Sequence, residues 1–282
     1  VKSFLHLLVP ALVGVTLATA AFANSAALPF TMTGALQQGG LVRAQIATGA
    51  KVSIDGRKVE LDGAGKFIFG FDRDHTATSN IEVSFANGET WSGDLAIEPR
   101  EWNIQYIEGI AKKYIEPPAE TLARIRAEAV RKRAARAQSN VSTGHLADFV
   151  WPLTGRISGV YGSQRFYNGT PGRPHFGVDI AAKTGTPFHS PADGVVTLAD
   201  EDMYYEGGLI FLDHGAGLTS AFLHLSGVDV KPGDVVAKGD LLGRVGAGGR
   251  ANGPHLDWRM YWFDQHIDPV LVVGPMPKSE IQ

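Results

Sequence analysis

Between about Leu28 and Pro99 the chain alternates apolar and polar side chains in short runs. Val52 and Ile54 alternate with polar neighbours, Asp55-Gly56 interrupts them, and Val59 and Leu61 resume the pattern. Asp62-Gly63 interrupts again before Phe67, Phe69 and Phe71. Period-two patterning broken by Asp-Gly pairs predicts hairpins, because successive strand side chains point to opposite faces and these dipeptides accept tight hairpin turns. A small antiparallel sandwich is expected over residues 28–100. Its lone histidine, His75, stands in a polar loop and reads as solvated.

The pattern then changes. Pro117-Pro118 stops the preceding segment, and Glu120 to Gln138 is rich in Ala, Arg and Glu, which suits a helix of about five turns. Arg124, Arg126, Arg131, Lys132, Arg133 and Arg136 make it strongly basic. It reads as a solvated helix within a linker over 101–148; contact with anionic glycan strands or lipid head groups is the sharper alternative. From Trp151 to Val273 short apolar runs return, among them Val195-Val196, Leu209 to Leu212, Thr219 to Leu223 and Leu241 to Val245. Pro232-Gly233-Asp234, Lys238-Gly239-Asp240 and Gly246 to Gly249 supply turns. A second all-β domain is expected over 149–275.

At the start, Lys2, the apolar run Leu5 to Leu17 and the small-x-small Ala21-Phe22-Ala23 have the form of a cleaved signal peptide over 1–23. The run is shorter than the ~20 residues of a spanning helix. An exported protein of the periplasm or cell envelope is expected, with no stable membrane span after signal removal. The 282 residues carry a formal net charge of -3, without the basic stripe that nucleic-acid binding requires. Cysteine is absent, which excludes disulfides, a thiol nucleophile and thiolate metal ligands.

The chemistry sits in the second half. His255 and Asp257 flank Leu256, so a strand that buries Leu256 projects both from the opposite face. His175 and Asp179 supply a further nitrogen and oxygen, and His224 one more imidazole. Imidazole and carboxylate together are zinc ligands. Each of these residues alone carries little weight.

His175-x-x-x-Asp179, Leu223-His224-Leu225-Ser226 and Gly253-Pro254-His255-x-Asp257 together resemble the signature of the lysostaphin and LytM-type zinc metallopeptidases, peptidase family M23. Gly177 to Ala182, Pro191 to Val196 and Asp213-His214-Gly215-x-Gly217 add to the likeness, which covers roughly Trp151 to Pro269. The resemblance implies a β-sheet domain like a hybrid-motif barrel and one Zn²⁺. It makes His175 and Asp179 ligands, and gives the third ligand position, ordinarily the last histidine of His-x-His, to Asp257. His224 and His255 then act in catalysis: His255 as general base and His224 on the oxyanion or the leaving amine, or the reverse. Tyr167, in the loop expected to border the cleft, is a further oxyanion candidate. The implied substrate is the stem or cross-link peptide of peptidoglycan, hydrolysed by metal-activated water.

The carboxylate at 257 departs from the family pattern. Two carboxylates formally neutralise a divalent ion and weaken it as a Lewis acid. The alternative is therefore a weak or inactive LytM-type domain that binds the wall or regulates a separate wall amidase. A lipoyl-like carrier, suggested by the glycine turns near Lys231 and Lys238, lacks the flanking motif of a modifiable lysine. His145, His189, His214 and His266 are assigned no role in chemistry; a local polar contact with Asp264 or Asp268 is expected for His266.

Overall fold

The computed structural model describes residues 27–108, 119–138, 140 and 142–277. The expected signal segment lies outside them. Strands dominate, as the alternation predicts. In the first part they are β1 (Thr31–Gly34), β2 (Leu41–Gln45), β3 (Lys51–Ile54), β4 (Arg57–Val59), β5 (Lys66–Gly70), β6 (Thr78–Ser84) and β7 (Thr90–Ala96), followed by β8 (Ile104–Ile107). Helix α1 (Leu122–Arg136) comes next. The second part contains β9 (Arg156–Gly159), β10 (Gln164–Tyr167), β11 (Thr170–Pro171), β12 (Gly177–Ala181), β13 (Pro187–His189) and β14 (Gly194–Met203). It continues through β15 (Gly207–Gly215), β16 (Leu218–Val228), β17 (Val235–Val236), β18 (Leu241–Val245), β19 (His255–Trp262) and β20 (Gln265–Ile267) to a short helix, α2 (Pro269–Val273).

The first part forms two antiparallel sheets, β1-β2-β5 and β4-β3-β6-β7. Phe67, Phe69, Ile81 and Val83 are fully or almost fully buried between them. The second part is built on a ten-stranded sheet with the path β17-β14-β15-β16-β19-β12-β9 and branches through β13, β18 and β20. The path is open and does not close into a barrel. Leu256, Trp258 and Met260 on β19 and Val178 and Ile180 on β12 are completely buried on one face. Their odd-numbered neighbours face the other way.

One apolar cluster runs through both parts, from Phe67 and Ile81 to Phe222 and Ile267. Polar contacts reinforce the junction. Asp72 Oδ2 accepts from His266 Nδ1 at 2.9 Å, Arg100 Nη1 donates to Asp268 Oδ2 at 2.9 Å, and Arg73 Nε donates to Gly162 O at 2.9 Å. The sequence expectation for His266 is thus corrected: its acid is Asp72, 194 positions away, not a neighbour on its own hairpin. The His266 ring stacks on Phe176 at 3.8 Å, so this junction props the residue next to His175.

Helix α1 also departs from expectation. It is docked rather than free. Arg131 pairs with Asp200 at 2.7 Å, Lys132 with Glu206, and Glu128 Oε2 accepts from the Tyr204 backbone N–H at 3.0 Å. Ala135 is buried with Leu209, Phe211 and Tyr261. The basic composition that suggests solvation instead finds acids on the β14–β15 hairpin.

Ile267 tests the junction. It is completely buried, and its Cδ1 lies where a side chain on Gly70 would have to go. Ile267→Ala should lower the unfolding free energy by about 2–4 kcal/mol, the usual range for a buried isoleucine. Urea unfolding measures this, with Val235→Ala, at a site 82% exposed, as a near-neutral control.

Candidate metal centre

The antiparallel register of β12 and β19 sets Asp179 directly opposite Asp257. Opposed residues share a face with Cβ atoms about 5 Å apart, so the two carboxylates stand side by side. His175 lies just ahead of β12, fixed by its N–H to Ser163 O and its carbonyl to Gly162 N, both 2.8 Å. The ligating atoms of His175, Asp179 and Asp257 lie within 4.8 Å of one another. Two glycines make room for the carboxylates. A Cβ on Gly159 would fall 2.1 Å from Asp179 Oδ2, and one on Gly177 would fall 2.4 Å from Asp257 Oδ1.

His224 reaches the group through an irregularity. The β15–β16 pairing slips between Gly208 and Leu209, leaving His224 at a bulge with φ of 66°. A bulge re-aims a side chain, and left-handed backbone at a non-glycine residue is a local strain that the surrounding structure must hold. The His224 N–H donates to Glu206 O at 2.8 Å, and its Nδ1 lies 2.8 Å from Gly248 O. His255 repeats the arrangement, with Nδ1 2.8 Å from Gly253 O. A carbonyl only accepts, so both Nδ1 atoms carry the proton, and in the neutral ring Nε2 presents a lone pair. His255 Nε2 stands 3.6 Å from Asp179 Oδ1, His224 Nε2 stands 4.0 Å from Asp257 Oδ2, and the two rings are 4.8 Å apart.

Arg259 completes the cluster and was not among the residues singled out from the sequence. Its Nε lies 3.1 Å and 3.0 Å from the two Asp257 oxygens, and Nη2 lies 2.5 Å from Oδ2. A signal was present: an arginine two residues beyond an acid in a strand shares its face. Burial would raise the Asp257 pKa, but the Arg259 charge and hydrogen bonds hold it down at about 2. Burial also works against a charged His175, yet the carboxylates of Asp179 and Asp257 beside it raise its pKa on balance. His224 is shifted downward, mainly by burial.

Whether these residues suit a cation can be tested on two atoms. His175 Nε2 and Asp179 Oδ1 are buried without a hydrogen-bond partner, 3.2 Å apart. Ligand atoms on a tetrahedral zinc with bonds of about 2.0–2.1 Å are separated by about 3.3 Å, so the pair fits two vertices of such a site. Buried polar atoms ordinarily have partners. Asp257 offers the third ligand atom, an oxygen shared with Arg259.

The profile of peptidase family M23 matches residues 173–269, which span every member of this cluster. This segment is an M23 peptidase domain. The chain is 37% identical over 106 residues to the DD-carboxypeptidase/endopeptidase Mpg of Neisseria meningitidis, covering 38% of this chain and 24% of that protein. The Caulobacter vibrioides cell division protein DipM is 34% identical over 146 residues, 50% of this chain and 23% of that one. The chain spans about a quarter of the length of these curated relatives. A crystal structure described as that of a candidate M23 peptidase from Pseudomonas aeruginosa superposes with a TM-score of 0.67 at 27% identity, over 84% of this chain and 95% of that one. That likeness takes in the first part of the chain as well as the M23 domain.

Tyr167 ends β10, paired through the backbone with Ile107 and Thr170 rather than lying in a loop. His214 is fully buried elsewhere, with Nδ1 2.8 Å from Asp193 O and Nε2 2.8 Å from Ser220 Oγ.

Burial pushes the His214 pKa from 6.5 down to about 4. The unfolded chain therefore binds a proton below pH 6.5 that the folded chain refuses until about pH 4. This contribution to stability is complete above that window and falls as pH drops through it, by up to about 3 kcal/mol. Denaturation midpoints across the window should show the decline, and His214→Gln should flatten it.

Proposed function

We propose that this protein is an exported zinc metalloendopeptidase of the periplasm or cell envelope that hydrolyses peptide bonds in peptidoglycan. Residues 149–275 form its peptidase domain, with an N-terminal domain over 28–100 and a linker over 101–148 behind a signal segment. The observation that carries this reading is that His175 Nε2 and Asp179 Oδ1 are buried 3.2 Å apart beside Asp257 with no hydrogen bond to either. Two imidazoles with free Nε2 lone pairs face the same space. The name of a similar protein, the peptidoglycan DD-endopeptidase ShyA of Vibrio cholerae, supports peptidoglycan as the substrate.

His175, Asp179 and Asp257 would hold the ion. A divalent zinc bound there supplies Lewis acidity, polarising the scissile carbonyl and bringing the pKa of water toward ~7. His255, anchored on the Gly253 carbonyl, takes the proton from the attacking water at Nε2 and returns it to the leaving amine. His224 is held in the same tautomer, and its lowered pKa keeps it neutral near pH 7, so it is the alternative proton acceptor. Neither neutral ring can donate from Nε2 to an oxyanion. Only the protonated form can.

Arg259 answers the difficulty raised by the second carboxylate. Two carboxylates cancel a divalent ion, but the guanidinium restores a net charge of +1, as two imidazoles and one carboxylate would leave it. Substituting Asp for His is thereby made electrostatically neutral for the site as a whole.

The second reading, a domain that regulates a separate wall amidase or binds the wall without cutting it, draws on the same ion pair. Arg259 satisfies Asp257 without any metal. Zinc content separates the two. The peptidase reading expects one zinc per chain, its loss in Asp257→Ala, and zinc-dependent release of soluble fragments from purified sacculi that His255→Ala abolishes. Protein that gains no zinc on reconstitution and releases nothing assigns the regulatory reading. In the metal-free protein, Arg259→Gln should cost about 3–5 kcal/mol of stability by leaving a buried carboxylate unpaired, and added zinc should recover part of that loss.

A further inference from the structure

Helix α1 covers the same face of the large sheet that carries Asp257. A small apolar cluster of Ala135, Leu209, Phe211, Ala221, Leu223 and Tyr261 fixes it there. Its acid-facing side is fully committed: Arg124 to Glu128 and Asp202, Arg131 to Asp200 and Lys132 to Glu206. Arg133 and Arg136 point elsewhere. Together with Arg173 and Arg259 they line a cleft of about 260 Å³ whose apolar lining includes Phe211 and Tyr261. Arg133, Arg136 and Arg173 have no acidic partner among the described residues, and Glu206, the one acid lining the cleft, is taken by Lys132. A chain of formal net charge -3 thus gathers a local surplus of three positive charges.

We infer that this cleft binds a free carboxylate of the substrate peptide. The identity of the peptide rests on the peptidoglycan peptidase reading; the anion site rests on the cleft itself. The Arg136 guanidinium lies 4.9 Å from the Tyr261 ring centroid and 5.7 Å from that of Phe211. Such stacking uses the planar face and leaves the N–H edge free, already ordered, to grip a carboxylate with two parallel hydrogen bonds. Arg173 lies 5.6 Å from the Phe176 centroid, two residues ahead of His175. The cleft adjoins the proposed metal centre, because Arg259 belongs to both and Leu223 precedes His224. Like charges lining a concavity with low-dielectric walls focus their field on what enters it. The volume is just below the ~300 Å³ of ordinary small-ligand pockets, suited to one carboxylate-bearing side chain or chain end. A membrane surface would call for an outward-facing basic patch, not a recess with an apolar lining.

The test uses calorimetry on the full chain after chelator treatment, so that binding is read without turnover. The probes are the tetrapeptide L-Ala-D-Glu-L-Lys-D-Ala and the same peptide with both carboxylates amidated. The acid form should bind at least about tenfold more tightly than the amide, and raising salt from about 50 to 300 mM should weaken it. Arg133→Gln/Arg173→Gln, both at exposed positions, should reduce binding of the acid form about tenfold with unchanged circular dichroism and melting temperature. Equal binding of acid and amide, or an unchanged affinity in the double variant, overturns the inference. So does binding to phosphatidylglycerol vesicles that the double variant loses while the peptide never binds. Wild-type protein that binds the acid peptide through these arginines but cuts no sacculi upholds the cleft and removes the peptidase reading. Protein that cuts sacculi with no carboxylate preference does the opposite.

Discussion

Two carboxylates held opposite each other across β12 and β19 are the constraint around which this site is organised. Asp257 is 1% exposed, and a second negative charge stands beside it on Asp179. Burying a carboxylate costs several kcal/mol unless positive charge is placed beside it. The fold places Arg259 on both Asp257 oxygens and turns the His175 ring toward Asp179. A divalent ion at this point continues the same logic, since His175 Nε2 and Asp179 Oδ1 are buried 3.2 Å apart with no hydrogen bond to either.

The rest of the molecule steadies that arrangement. Trp258, Leu256 and Ile180 fix the two strands from the core side, so the polar residues between them cannot slip in register without being buried. The first part of the chain contributes at a distance. Asp72 orients His266, His266 stacks on Phe176, and Phe176 adjoins His175. Helix α1 lies on the sheet face that carries Asp257, where Arg133 and Arg136 line one cleft with Arg259. The M23 domain is thus packed between elements that its family motif does not include.

Much of this was legible in the residues alone. Asp-Gly turns and alternating apolar positions predict the hairpins, and the alternation around Leu256 places His255 and Asp257 on one face. His175, Asp179, His224 and His255 carry the family resemblance in order along the chain, and the M23 profile matches the segment containing all of them. Tyr167, expected in a loop bordering the cleft, stands instead on a strand of the small β8-β10-β11 sheet. The helix was read correctly as a helix and wrongly as free, because composition records its charges and not the acids that meet them.

The sequence by itself determined the strand periodicity, the turn positions and the kinds of donor atom available, since these depend on side chains a few residues apart. Tertiary structure alone decided three things: the bulge that swings His224 toward Asp257, the glycines that seat the carboxylates, and the docking of α1 beside the site. Each joins residues many positions apart, and their attraction is set by distance and burial in space, which local pattern does not encode.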